Sequence, residues 1–173
     1  MYKIAFNFLK NFFPAHKLFK VGFNISPMYR RTTAKVVAIS CDMHQVTIKL
    51  PLSYKNSNYV GAIFGGAMQS ATDPIYMIQL MNILGDDYVV WDKAASIKYK
   101  RPARETIYGE FFFSEQEIAM IKEKVNEENE FDYHKSLVLK SKSDIVYAEI
   151  DKLLYIAQKE YYKQKLKRKN RKG

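Results

Sequence analysis

Cysteine is almost absent from the 173 residues, with Cys41 the single example, so an intrachain disulfide framework and any multi-cysteine zinc or iron–sulfur site are excluded. The three histidines, His16, His44 and His134, are isolated and lack ligand spacing, so no metal site is expected. Seven glycines and five prolines are too few for a collagen-like or low-complexity chain. Neither a G-x-S-x-G elbow nor a phosphate-binding loop occurs. Long apolar runs are missing too. No stretch approaches the roughly 18 residues of a membrane-spanning helix. In the N-terminal MYKIAFNFLKNFFPAHKLFKVGF, Lys3, Asn7, Lys10 and Asn11 break every run before the roughly 7–15 apolar residues of a secretory signal. The expected compartment is the cytoplasm. Acid is scarce against base, 18 Asp and Glu against 28 Lys and Arg, a formal charge of +10. Seven of these bases (Lys163, Lys165, Lys167, Arg168, Lys169, Arg171 and Lys172) crowd residues 163–173 with no acid among them, and removing them leaves a body at only +3.

What is present is apolar and aromatic: 47% hydrophobic residues, with 13 Tyr and 11 Phe, enough for one domain with a sizeable core. Ile4, Phe8 and Phe12 recur at i, i+4 and i+8, amphipathic spacing that Pro14 ends. Such a helix packs on its own domain or a partner, or, being basic and Phe-rich, lies on a membrane. SPMYRRTTA is read as a turn leading into a strand. Residues 33–39 and Gln45 to Leu50 alternate as half-buried strands, with Cys41–His44 as the hairpin connection. Gly65-Gly66 then opens AMQSATDPIYMIQLMNIL, a helix apolar over most of its circumference and ended at Gly85. Strands are expected over Tyr88–Lys100, Thr106–Phe113, Phe131–Lys140 and Ile145–Ile156. A polar helix, SEQEIAMIKEKVNEEN, separates the second from the third; Ser114 and Glu117 are spaced for a capping box. This order fits an α+β architecture, a mostly antiparallel curled sheet with one helix against it.

The stretch NYVGAIFGGAMQSATDP, residues 58–74, carries the chemistry. Backbone amides in the first turn of a helix lack intrahelical acceptors, and glycines there let another molecule approach closely. A carbonyl placed against them is stabilised as it gains negative charge, an oxyanion-hole arrangement. Asp73, seven residues after Gly66, returns to the same face about two turns along and is the only carboxylate between Gly61 and Leu84. A carboxylate in so apolar a helix is costly unless hydrogen-bonded or at work. The structural alternatives are a tight turn at Gly65-Gly66 and an Asp73 cap for a helix restarted by Pro74.

The pattern Asn58-x-x-Gly61-x-x-Phe64-Gly65-Gly66 followed by Asp73 resembles the PaaI-like branch of the hotdog-fold thioesterases, and residues 58–104 look closest to the DUF4442 hotdog family. The likeness is strongest from Asn58 to Phe113. It implies a curled antiparallel sheet around a long central helix over residues 31–158, between an amphipathic helical segment (1–30) and a basic tail (159–173). It also implies edge-to-edge homodimers, or dimers of dimers, with sites at the subunit interface, an acyl-CoA or related thioester as substrate, and no cofactor. Asp73 matches the acid that serves as general base or nucleophile, Gly65 and Gly66 the carbonyl-polarising loop, and Asn58 the polar position that orients carbonyl or water. Phe64 stands where the thioesterase motif often has His, and Pro74 departs from the general pattern, with a kink expected there.

Substrate contacts follow from the same likeness. Phe64, Met68, Tyr76, Met77 and Met81 offer an apolar wall, though methionines at this spacing also serve as core. Gln69 and Ser70 offer polar contacts to substrate, or satisfy buried backbone. Arg101 and Arg104, in KYKRPAR with Lys98 and Lys100, suit CoA phosphates or a solvated strand edge. Asp92, in WDKAAS, pairs either near Lys93 or across a dimer. A non-catalytic acyl-CoA or fatty-acyl binder would share all these features. The basic tail is expected to be solvated and disordered, or to contact nucleic acid or an anionic membrane weakly.

Overall fold

The computed structural model describes residues 12–170. The amphipathic spacing from Ile4 falls on residues that lie mostly outside this range. Two helices come first, α1 (Ala15–Ile25) and α2 (Pro27–Arg31). Pro14 stands at the N-cap of α1, as suits a residue with a fixed φ and no N–H to give, and the helix it was expected to end lies mostly outside the described residues. Pro27 likewise stands in the first turn of α2, so SPMYRR is a short helix where a turn was expected. Phe19 and Phe23 of α1 stack at 4.5 Å, and Phe23 meets Tyr29 edge-on at 4.9 Å, which fixes both helices to the core.

Six strands follow: β1 (Lys35–Ile39), β2 (Gln45–Leu50), β3 (Tyr88–Tyr99), β4 (Ile107–Phe112), β5 (Glu130–Lys140) and β6 (Val146–Gln158). They form one antiparallel sheet in the order β1-β2-β4-β5-β6-β3. The long helix α3 (Gly65–Leu84) lies against its inner face and runs through Pro74 as one helix. Met68, Ala71, Ile75, Tyr76 and Leu80 of α3 meet Val46, Ile48, Leu50, Ile107, Phe111, Leu139, Leu154 and Ile156 of the sheet in one core. Tyr76 is 1% exposed, packs edge-on against Phe111 and Phe113, and donates its hydroxyl to the Ser136 carbonyl. The α+β reading of the sequence therefore holds, with strand ends within two residues of expectation.

The two edges of the sheet are treated differently. At β1, the Asn24 side chain both donates to the Val36 carbonyl and accepts from its amide, each at 2.9 Å, and Lys20 Nζ donates to Val37 O. Helix α1 thus occupies ladder positions that a further strand would need. At the other edge, no strand among the described residues pairs with the outer side of β3.

Helix α4 (Glu115–Glu128) carries the expected capping box: Ser114 Oγ accepts from the Glu117 amide, and Glu117 Oε2 accepts from the Ser114 amide. Glu117 Oε1 also takes hydrogen bonds from Tyr133 Oη (2.6 Å) and Lys135 Nζ (2.5 Å). Burial pushes this carboxyl upward, but the Lys135 and Tyr133 side chains and the Ser114 amide outweigh it and hold it at about 2. A depressed carboxyl contributes stability above its ordinary value of 4.5 that is lost as pH falls toward about 2. Glu117→Gln is therefore expected to be less stable at neutral pH and to lose that part of the acid slope, measured by urea unfolding between pH 2 and 7.

The basic tail is not the disordered segment expected. Residues Lys159–Asn170 form α5. Tyr162 lies 6.1 Å from the Tyr155 ring, and Lys165 pairs with Glu130, which also accepts from Tyr155 and Tyr161. These aromatic and acidic anchors on β5 and β6 give the tail something to fold against, leaving Lys163, Lys167 and Arg168 exposed. Among the described residues, no helix is long and apolar enough to cross a membrane.

Candidate functional site

The loop before α3 is shaped by two asparagines. Asn56, 5% exposed, donates to Thr33 Oγ1 and Pro51 O and accepts from Ser53, while its carbonyl takes the Phe64 amide at 2.8 Å. Asn58 accepts from the amides of Val60 (3.1 Å) and Ala62 (3.0 Å). At this position, expected to help orient carbonyl or water, the Asn58 side-chain oxygen holds the loop. Ile63 donates to the Ala103 carbonyl at 2.8 Å. That bond ties the entrance of α3 to the KYKRPAR turn, so exposed Arg101 and Arg104 flank the buried residue against which the loop rests.

Gly65 and Gly66 are the first two residues of α3, where amides have no carbonyl one turn back in the helix. Aromatic rings lie over both positions, so a side chain at either would have to displace one of them. A Cβ at Gly65 would stand 2.6 Å from Tyr99 Oη, and one at Gly66 would stand 2.3 Å from the Phe64 ring. Phe64 and Tyr99 are themselves more than half exposed, 58% and 52%. The helix entrance is therefore bordered by two open aromatic faces, with Phe64 in the place where histidine was the alternative.

Asp73 corrects one expectation: it is not buried. Its side chain is 56% exposed. Gly66, Gln69, Ser70, Asp73 and Met77 form the less buried stripe of α3, while Met68, Ala71, Thr72, Ile75 and Tyr76 face the sheet. The carboxylate returns to the Gly66 stripe as its spacing requires, but at the unpaired β3 side, where no further strand covers it. Gln69 and Ser70 are exposed there too, so they do not serve buried backbone. Met68 and Tyr76 are core residues, 2% and 1% exposed, and neither lines the opening beside Asp73. That opening is a small recess between Gln69, Thr72 and Asp73 of α3, Ala95, Ser96 and Ile97 of β3, and Ile150 and Lys152 of β6. A larger groove on the outer face, where β4 and β5 diverge, is lined by Glu110, Ser136, Val138, Lys140, Glu149 and Asp151 and contains none of the candidate site residues.

Sequence reasoning missed Lys152. Its side chain is 1% exposed and its Nζ lies 2.9 Å from Asp73 Oδ1, 3.0 Å from the Asp73 carbonyl and 2.8 Å from Asp92 Oδ1. The signal was available: in β6, Ala148, Ile150, Leu154 and Ile156 are buried at alternate positions, and a lysine stands at the same parity. Asp92 pairs with this lysine of its own chain, while Lys93 pairs with Asp132. Burial raises the Asp92 carboxyl, Lys152 works against that, and the nearby Asp73 adds to it. No group of three or more metal-ligating side chains occurs among the described residues.

The sequence pattern of DUF4442, a domain of unknown function, matches residues 15–154. No curated protein matches the chain. Among solved structures, a Pseudomonas aeruginosa protein of unknown function, named "Probable Thioesterase", superposes with a TM-score of 0.73 at 18% identity, covering 82% of this chain and 95% of that one. A protein of unknown function from Chlorobaculum tepidum gives 0.67 at 13% identity, covering 83% and 94%. A thioesterase from Haemophilus influenzae gives 0.60 at 10% identity, covering 83% and 90%. The chain belongs to the DUF4442 family, and its fold is the hotdog fold.

Proposed function

We propose that this DUF4442 chain is an acyl-CoA thioesterase whose carbonyl-binding group is the Gly65–Gly66 entrance of α3 and whose base or nucleophile is Asp73. The observation that carries the reading is the placement of Asp73: an accessible carboxylate on the same helical stripe as Gly66, beside a recess. The names of the Pseudomonas and Haemophilus relatives agree with it. With Asp73 as base, a water oxygen bonds to the thioester carbonyl carbon while its proton passes to Asp73. The oxyanion rests on the helix-entrance amides. Collapse breaks the C–S bond, and the proton goes to the thiolate, giving a carboxylic acid and a free thiol. No cofactor enters these steps.

Phe64 and Tyr99 supply apolar borders for the acyl group, with Met77 further along the stripe. Arg101 and Arg104 suit the anionic phosphates of CoA, which guanidinium groups bind in bidentate fashion. The Arg101→Ala, Arg104→Ala double variant is expected to raise KM about tenfold with kcat little changed, as expected for removing uniform binding. A second copy completes the site by pairing its β3 edge with this one, covering the exposed stripe of α3. The aromatic ring on Gly66, standing where a polar group would help the carbonyl, favours one alternative: a hotdog protein that binds acyl-CoA without turnover. Thiol release from acetyl-, hexanoyl- and palmitoyl-CoA by the purified chain decides between them. Binding of these probes with no thiol released, by wild type and Asp73→Asn alike, selects the binder.

A further inference from the structure

We infer that Lys152 is a positioning residue for Asp73, fixing the direction in which that carboxylate faces the recess. Its effect on rate rests on the hydrolysis proposed above; the geometry can be tested without it. A lysine side chain that is 1% exposed needs a reason. Removing an ammonium from water is costly, and the inner row of β6 is otherwise apolar, so packing alone favours an aliphatic side chain at this position. The compensation is concentrated on one residue. Nζ donates to both the carboxylate and the backbone carbonyl of Asp73, at 2.9 and 3.0 Å. The side chain and the main chain of Asp73 are therefore held together, immediately before the proline that interrupts the α3 hydrogen-bond ladder.

Asp92 plays a different part. Its Oδ1 is 2.8 Å from the same Nζ, within ion-pair range but without hydrogen-bond geometry. It gives the ammonium a second counter-charge. The sheet places it there by a bulge: register shifts between Asp92 and Ala94, so Asp92 lies opposite Leu154 on the inner face and Ala95, opposite Lys152, returns to that face. Two carboxylates share one ammonium, and the well-aimed bonds go to the exposed one. An aspartate so exposed would otherwise sample several rotamers. Engaging Oδ1 restricts it and presents the other oxygen to a water in the recess, and a reacting group misplaced by 1 Å can cost roughly 100-fold in rate.

The test is Lys152→Met, assayed with the member of the acetyl-, hexanoyl- and palmitoyl-CoA series that wild type hydrolyses fastest. The expected result is a kcat lowered about 10- to 100-fold with KM within about threefold of wild type. Added to Asp73→Asn, Lys152→Met should change the residual rate less than about twofold, because it acts through the group already lost. A crystal structure of Lys152→Met should show the Asp73 carboxylate displaced relative to α3. A wild-type kcat in Lys152→Met, or an equal further loss in the Asp73→Asn background, overturns the positioning role and leaves Asp73 as base. If wild type releases no thiol from any of the three, the proposed function fails, and the crystal structure alone decides: an unmoved carboxylate overturns the inference. Should Lys152→Met not fold because Asp92 is stranded, the Lys152→Met, Asp92→Asn pair removes that charge and is measured in its place.

Discussion

Asp73→Asn is expected to lower kcat for thioester hydrolysis by about 10²- to 10⁴-fold, with KM nearly unchanged. The substitution keeps the shape and the acceptor that Lys152 grips, so α3 and the recess remain. What disappears is the ability to accept a proton or attack a carbonyl. Stability is expected to fall, because the 1%-exposed Lys152 ammonium loses one of its two carboxylates, but the fold is kept by the Asp92 counter-charge and the remaining amide acceptor, so unfolding is measured beside activity. The same position separates the two chemistries open to it. As nucleophile, Asp73 forms a mixed anhydride that hydroxylamine traps, and where water then attacks the Asp73 carbonyl carbon, not the acyl carbon, a single turnover in labelled water leaves the label in the Asp73 carboxylate. As base it does neither. An Asp73→Asn protein that retains wild-type turnover rejects Asp73 in both roles.

Much of this was legible beforehand because local rules and tertiary packing agree. The period-2 strands, the Ser114–Glu117 capping box and the apolar α3 depend on neighbours a few residues away, and their positions were read correctly. The spacing from Gly66 to Asp73 likewise put both on one stripe of α3. Burial is what periodicity could not supply. Asp73 is surrounded in sequence by apolar residues and is nevertheless exposed, because the sheet that covers the rest of α3 ends at β3. Conversely Lys152 reads as an ordinary surface lysine until its parity in β6 is set against Ala148, Ile150 and Leu154. The bulge at Asp92 changes which side chains of β3 point inward, and no turn residue or proline announces it. The tail was misjudged for a similar reason: its charge argues for solvation, while Glu130, whose carboxylate pairs with Lys165, lies on β5, far earlier in the chain.

The unequal edges of the sheet lead to the second large effect. Helix α1 blocks β1 with Asn24 and Lys20, whereas β3 offers twelve residues with Ala94, Ala95 and Ser96 exposed in its middle and Trp91 half exposed. Long unpaired edges are templates for pairing, and small neutral side chains do nothing to prevent it. Wild type is therefore expected to sediment at twice the 20.3 kDa chain mass. The Ala94→Lys, Ser96→Lys variant puts two ammonium groups on each edge, where a two-fold axis brings like charges together, and charge of this kind is how natural edges stay unpaired. It is expected to sediment as a single chain with unchanged circular dichroism. Its kcat/KM should fall at least about tenfold, because the exposed stripe from Gly66 to Met77 is then no longer sheltered from water and loses whatever contacts the second copy supplies. Ser96 borders the recess beside Asp73 whereas Ala94 does not, so a loss of activity is assigned to the missing partner only where Ala94→Lys alone also sediments as a single chain and loses activity. A wild-type chain that sediments at its own mass while turning over thioester would show that one copy suffices. In that case the exposure of Asp73 would be a property of the working enzyme and not of a separated half.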